Sequence, residues 1–222
     1  MKGMIKFIFY ASLLPFFFAF VQEAVAFLRY YLDMILSSWF FAGFVTYCLS
    51  YILFLKKHME FLETFEHELA HAIISLLFFN KVKLFGAASD GTGVVWASRR
   101  MNAMILLAPY FLPVFTLPMI FTKPYLSFSY QPALDFAIGV TLGFHFIGLI
   151  KEFKAHQTDI QKVGMTLSYL LVIFFNAFFL VLVISMVFAD SSFFLDYVRR
   201  SLLHGILLYE KITAAALSSL PV

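Results

Sequence analysis

Residues 65–74 read FEHELAHAII, which places histidines and glutamates inside a stretch that is otherwise apolar. The chain around this stretch has 222 residues, of which 62% are hydrophobic and only 13% are charged. In soluble domains about a quarter of all residues are charged, so this composition is typical of a membrane protein. The polar groups at 65–74 therefore need a specific explanation, because lipid penalises ionisable side chains.

Apolar runs along the chain predict an all-α polytopic membrane protein with about six transmembrane helices. At about 20 apolar residues per crossing, six crossings use roughly half of the chain, so we expect one membrane domain over 1–222 and no separate soluble domain. The first 26 residues imitate a secretory signal, but we expect them to form the first span. The predicted spans are 4–22, 32–55, 62–79, 101–121, 133–150 and 163–189.

Two of the predicted helices have unusual sequences. The run 101–121 contains Pro109, Pro113 and Pro118, each of which removes a backbone donor, so we expect a kinked or broken helix packed inside the bundle. Residues 191–218 alternate charged and apolar residues at helical spacing. This pattern favours a C-terminal amphipathic helix lying on the membrane surface over a seventh crossing.

Residues 81–98 break the helical pattern. Two β-prone runs flank Asp90-Gly91, a pair that is typical of a tight hairpin turn. A lone hairpin is marginally stable in water, so this one is expected to lean on the bundle or enter the membrane interface. It is either a simple connector or an exposed strand edge that pairs with an extended peptide.

Charge and cysteine content exclude several classes of function. The sixteen Lys and Arg residues lie in small clusters between apolar runs, and no long basic block indicates a nucleic-acid partner. Cys48 is the only cysteine, which excludes an intrachain disulfide and a cysteine-rich metal site. The expected partners are the lipid bilayer and a membrane protein or peptide.

The residues His67-Glu68-Leu69-Ala70-His71 match the pattern His-Glu-x-x-His. Residues four apart lie on one face of an α-helix, so His67 and His71 converge on one ion. Glu68 then reaches a water at that ion and acts as the catalytic acid and base. This is the arrangement that a zinc hydrolase needs, and Zn²⁺ is the expected cofactor.

A catalytic zinc normally takes a third protein ligand from elsewhere in the chain. On an unbroken helix, four downstream residues would form one stripe, although positions 145 and 159 would lie about 21 Å apart, too far to share one ion. The chemistry of zinc binding favours a histidine or a carboxylate as the third ligand and does not distinguish between them. The candidates are His145, Glu152, His156 and Asp159.

The chain resembles the site-2 protease family of intramembrane zinc metalloproteases, especially its small bacterial members. The resemblance rests on EHELAHAIISLLF, on VKLFGAASDGTGVVW and on the aspartate of HQTDIQKVG. It implies zinc ligands His67, His71 and Asp159, and a metalloprotease core at about 59–189 in a bacterial cytoplasmic membrane. Better-known members carry the distal aspartate in an Asn-x-x-Pro and Leu-Asp-Gly context, which this chain lacks, so His156 and His145 stay as fallback ligands.

The resulting expectation is a multi-pass zinc endopeptidase that cleaves membrane-spanning or membrane-associated substrates. The expected substrate-binding strand is Gly93, Val94, Val95 and Trp96, and Asn176 either orients the substrate or ties two helices together. The alternatives are a metal-binding membrane protein without hydrolase activity, such as a cation transporter or a degenerate protease, and a zinc hydrolase of lipids or lipidated substrates. Substrate choice is expected to come from the membrane core, the hairpin, the C-terminal helix or a regulatory partner.

Overall fold

The computed structural model describes residues 2–88 and 92–218 and is mostly helical, at 79%, with one two-stranded antiparallel sheet. The helical character and the hairpin predicted from the sequence are thus confirmed. The elements are α1 (Lys2–Tyr30), α2 (Leu32–Leu36), α3 (Trp39–Leu53), α4 (Glu60–Leu77), β1 (Val82–Ala87), β2 (Gly93–Ala97), α5 (Ala103–Leu107), α6 (Thr116–Thr122), α7 (Gln131–Glu152), α8 (Thr158–Val163), α9 (Met165–Phe188) and α10 (Ser191–Ser218).

Among the described residues, three helical segments are long and apolar enough to cross a membrane: Ser12–Tyr30, Phe128–Glu152 and Met165–Phe188. This is consistent with membrane association. The predicted span 32–55 is not one continuous helix, because the chain turns at Ser37 and a new helix starts after Ser38, whose side chain accepts from the backbone N–H of Phe41 in the first turn of α3.

The proline-containing run is broken, as its sequence predicts. Helix α5 ends at Leu107, a tight turn follows over Ala108–Tyr110, and α6 starts only at Thr116. Leu107 and Ala108 are completely buried, so the broken segment lies in the interior of the bundle. It passes directly beside α4, where its backbone carbonyls become partners for polar side chains.

Helices α3 and α7 pack with their backbones in contact. A side chain at Gly43 would overlap the carbonyl of Phe136, and a side chain at Gly139 would overlap the carbonyl of Phe40. Small residues at a helix interface allow this approach in membranes, where van der Waals packing replaces the hydrophobic effect. The pair positions the C-terminal end of α7 against α4.

The helix predicted at 191–218 is present as α10, but the sequence did not predict its partner. It lies antiparallel along α1: Phe193 contacts the ring of Tyr31, whereas Gly205 lies against Phe16. The buried face repeats every four residues, and the hydroxyl of Tyr197 donates to the carbonyl of Phe20 at 3.1 Å. The amphipathic helix thus packs on α1, and its position at the membrane surface stays a prediction.

Strands β1 and β2 form the predicted hairpin against the side of α4. The pairing runs from Val82 opposite Ala97 to Ala87 opposite Gly93, with an irregularity between Val82 and Leu84. The predicted turn at Asp90-Gly91 lies outside the described residues. The ring of Phe85 on β1 meets the ring of Phe65 on α4 edge to face at 5.7 Å, which holds the sheet on this helix.

Candidate metal centre

Three side chains predicted as metal ligands lie together. Nε2 of His71 is 3.4 Å and Nε2 of His67 is 3.8 Å from Oδ2 of Asp159. Ligand atoms bound tetrahedrally at 2.0–2.1 Å from a zinc ion are about 3.3 Å apart, so these separations fit one ion. Helix α4 supplies the two histidines from adjacent turns, and the first turn of α8 supplies the aspartate.

Both imidazoles are held at the nitrogen that faces away from Asp159. Nδ1 of His67 donates to Oε2 of Glu152 at 2.7 Å, and Nδ1 of His71 donates to the carbonyl of Ile105 at 2.7 Å. A carboxylate and a carbonyl only accept, so Nδ1 carries a proton in each ring, and Nε2 is the nitrogen that a metal would bind in place of a proton. Metal-binding histidines are typically oriented in this way.

Asp159 supplies the negative charge of the group. Burial alone would raise the pKa of this carboxyl, but His67 and His71, when protonated at Nε2 and donating to it, outweigh burial and hold the pKa well below its usual value. Its other oxygen, Oδ1, lies 3.7 Å from Nζ of Lys162. The side chain is therefore a carboxylate, the form in which aspartate binds metals.

Glu68 lies at the contact between α4 and the hairpin. A side-chain carbon built on Gly93 would come within 2.5 Å of Oε1 of Glu68 and within 2.8 Å of the methyl group of Thr64. Only a glycine fits at this position without displacing one of them. The first residue of β2 therefore lies directly beside the carboxylate that the sequence predicts to be catalytic.

Comparison with known proteins gave no match: no family model, no curated protein and no solved structure matches this chain. The functional interpretation consequently depends on the geometry and chemistry of its own side chains.

The downstream candidates separate because the expected continuous helix is interrupted. Helix α7 ends at Glu152 and α8 begins at Thr158, so the stripe predicted on one helix does not exist. Asp159 reaches the two histidines, whereas His156 is exposed in the connector between α7 and α8. His145 is buried next to Asn176, outside this group. Glu152 supports His67 rather than joining the three ligand atoms.

The remaining predicted residues occupy distinct environments. The amide nitrogen of Asn176 donates to the carbonyls of Tyr110 and Val172, each at 2.8 Å, so the predicted tie between helices is present. On β2, Val95 is buried and Val94 is half-buried, while Trp96 is 64% exposed. The substrate-binding roles of Asn176 and of the β2 residues stay predictions.

A second group of polar residues, which was not predicted from the sequence, lies on the other side of His67. The ammonium of Lys151 pairs with the carboxylate of Glu63, and Nδ1 of His145 lies 3.9 Å from Oε1 of Glu66. The signal was present: Glu63 and Glu66 precede the motif on the same helix, within a predicted span where carboxylates are costly.

Proposed function

We propose that this chain is a zinc-dependent intramembrane endopeptidase that hydrolyses peptide bonds of membrane-spanning or membrane-associated substrates. The observation that supports it is the convergence of two imidazole Nε2 atoms and one carboxylate oxygen, all within electrostatic range of the Glu68 carboxylate. The sequence resemblance to site-2 proteases points to the same function. Both arguments depend on His67, His71 and Asp159 as the ligands.

The chemistry of the donor set favours zinc. Two imidazole nitrogens and one carboxylate oxygen are common ligands of catalytic zinc, and three protein ligands leave a fourth position for water or substrate. When bound, the ion would lower the pKa of water and polarise the scissile carbonyl. The hydrogen bonds from His67 to Glu152 and from His71 to Ile105 would keep the ligands oriented before the metal arrives.

Glu68 is the proposed acid and base. Its carboxylate takes a proton from the attacking water and gives it to the leaving amine. The adjacent position of Gly93 makes β2 the proposed binding strand, because an extended substrate paired along β2 would run close to Glu68. The residues assigned to this strand are Gly93, Val94, Val95 and Trp96.

The proposed substrate must unwind before cleavage. A transmembrane helix satisfies its amides internally, so its peptide bonds are inaccessible until the helix opens locally. Small or helix-breaking residues near the cleaved bond should therefore favour hydrolysis.

Six membrane crossings belong to the same proposal. Two further helices are proposed to cross the membrane although they differ from the three long apolar segments. Helix α3 is apolar but only 15 residues long, and α4 is less apolar because it carries the carboxylates of the site. The broken α5–α6 segment is buried by its neighbours, and its Ile105 and Tyr110 carbonyls accept hydrogen bonds from His71 and Asn176. The six proposed crossings are α1, α2 with α3, α4, α5 with α6, α7 and α9.

Cation transport is a second candidate, favoured by the buried Glu63, Glu66 and His145 near the site. Ionisable residues inside a membrane protein often line an ion pathway. Within the described part of the chain, however, one group of three residues has the geometry of a metal site, and a chain of such sites would be expected of a transporter. A compact centre with Glu68 alongside supports hydrolysis. A hydrolase of lipids or lipidated substrates would use the same ligands.

The test is the variant Glu68→Gln in the full-length chain, reconstituted in liposomes with a peptide whose apolar span contains an Asn-Gly pair. We expect wild type to cleave it, a zinc chelator to abolish cleavage and added zinc to restore it. Glu68→Gln should retain zinc and lose cleavage, whereas Glu60→Gln, an exposed position on the same helix, should cleave normally. Cleavage by zinc-loaded Glu68→Gln at the wild-type rate would refute the assignment. If wild type does not cleave the peptide, and both wild type and Glu68→Gln take up zinc into the liposomes, transport is favoured instead.

A further inference from the structure

A small polar cavity of about 10 Å³, close to the space that one water needs, lies between α4 and α7, on the side of His67 that faces away from Asp159. Glu66 and His145 contribute to its wall, as do His67 and Glu152. The side chain of His145 is 2% exposed and that of Glu66 is 10% exposed. Both side chains are thus buried, and the cavity lies behind the metal-binding turn, with His67 as the one candidate metal ligand in its wall.

Asn176 determines which nitrogen of His145 carries the proton. Its amide nitrogen donates to the carbonyls of Tyr110 and Val172, so its oxygen must be the atom that faces His145. That oxygen lies 3.4 Å from Nε2 of His145 and can only accept. Nε2 therefore carries the proton, and Nδ1 presents a lone pair to the cavity.

Nδ1 of His145 faces another acceptor. It lies 3.9 Å from Oε1 of Glu66, beyond the range of a direct hydrogen bond. Neither atom has a hydrogen-bond partner among the residues that the structure describes. Two buried acceptors without a donor between them are costly, because each loses its bond to water and gains nothing in return.

We propose that a single resident water molecule bridges Glu66 and His145. A water about 2.8 Å from each atom spans a gap of 3.9 Å and donates one hydrogen to each acceptor. If Glu66 is protonated, the same water accepts from Glu66 and donates to His145, so the site does not depend on the charge of Glu66. A metal fits less well, because among the described residues only His67, His71 and Asp159 bring three ligand atoms together, and a zinc site takes at least three protein ligands.

The bridging water would join three helices behind the metal-binding turn. Glu66 precedes His67 on α4, His145 lies on α7, and Asn176 continues the hydrogen-bond chain to α9. Buried waters of this kind satisfy polar groups that the protein leaves unpaired, and they are part of the fold. The site is independent of the proposed protease activity, so it can be tested on the protein without a substrate.

X-ray hydroxyl-radical labelling of the full-length protein in lipid nanodiscs tests the proposal, because a radical forms from the bound water and reacts with the nearest side chain. We expect oxidation of His145, although its side chain is almost completely buried. Phe111, which is 1% exposed and stacked on Phe175 in an apolar region, is the matched control and should stay unlabelled. Glu66→Leu should lose the label on His145, and Glu66→Gln, which keeps the acceptor oxygen, should retain it.

A label on His145 no stronger than that on Phe111 would overturn the proposal, and so would a label that survives Glu66→Leu. If Glu66→Leu does not fold, the proposal is still tested by comparing the labels on His145 and Phe111 in wild type and by the label on His145 in Glu66→Gln. Zinc analysis separates water from a cation. Zinc that remains bound to His67→Ala and is lost on adding His145→Ala would show that an ion occupies the cavity and that the water assignment is wrong.

Discussion

The carboxylate of Glu152 lies 2.7 Å from Nδ1 of His67, although the two residues are 85 positions apart in the chain. Glu152 is the last residue of α7, and the packing of α7 in the bundle brings it to the middle of α4. The contact fixes both the orientation of the imidazole and the position of its proton. It also raises the electron density on Nε2, which strengthens a metal bond at that atom.

Removing this contact should weaken zinc binding without removing a ligand. We expect Glu152→Ala to lower zinc affinity by about 10–100-fold, the usual effect of losing such a partner. Glu152→Gln should lose less, because its amide oxygen still accepts from Nδ1. Competition with a chromogenic chelator measures the affinity, and Glu60→Gln, which removes an exposed charge from α4, is the control. Equal affinities for all four proteins would show that Glu152 does not position His67.

The identity of the third ligand can be tested by zinc content. Asp159→Ala should lose zinc during dialysis, as should His67→Ala and His71→Ala, because two ligands hold the ion poorly. His156→Ala should keep its zinc, since His156 is exposed and outside the ligand group. Elemental analysis of the purified proteins gives the answer. Loss of zinc from His156→Ala but not from Asp159→Ala would reverse the assignment.

The sequence was sufficient to place His67 and His71 on one helical face, because a four-residue spacing is a local property of the α-helix. It also predicted the hairpin and the interruption near the prolines, which follow from local backbone preferences. The supporting contacts were not predictable in this way. The pairing of His71 with the Ile105 carbonyl depends on how α5 packs against α4. Every residue has a backbone carbonyl, so the sequence does not indicate which one will accept this hydrogen bond.

The stripe over 145–159, which was expected only on an unbroken helix, is absent for a related reason. Helical spacing describes neighbours only while the helix continues, and α7 ends at Glu152. After that point the chain turns, so Asp159 comes to the histidines while His156 does not. The break also converts Glu152 from a candidate ligand into the support of His67. A pattern of polar residues therefore identified the right segment but could not assign each role.

The close contact between α3 and α7 should be sensitive to one added methyl group. Gly139→Ala would force a side-chain carbon onto the Phe40 carbonyl, and overpacking of this kind costs about 1–3 kcal/mol. Gly148→Ala on the same helix is the matched control, because no atom lies within 4 Å of the added carbon. Thermal unfolding in detergent should show a lower midpoint for Gly139→Ala and no decrease for Gly148→Ala. Equal midpoints would contradict the described contact.

The contact between Gly93 and Glu68 should separate catalysis from metal binding. In Gly93→Ala the new methyl group would displace either Glu68 or β2, while His67, His71 and Asp159 keep their partners. We expect the zinc content to stay unchanged and the cleavage rate to fall by roughly 10²-fold, as for a displacement of about 1 Å at a reacting group.

Gly86→Ala, on the opposite strand of the same hairpin, is the control for this substitution. Its added carbon would lie 3.6 Å from the Val94 side chain, an ordinary packing distance, so cleavage should continue at the wild-type rate. Both variants add one methyl group to the same small sheet, so a general loss of hairpin stability would slow them equally. If β2 and the Glu68 carboxylate form one site, only Gly93→Ala should lose cleavage, with its zinc retained. Equal cleavage rates in the two variants would show that the hairpin has no specific role at Glu68.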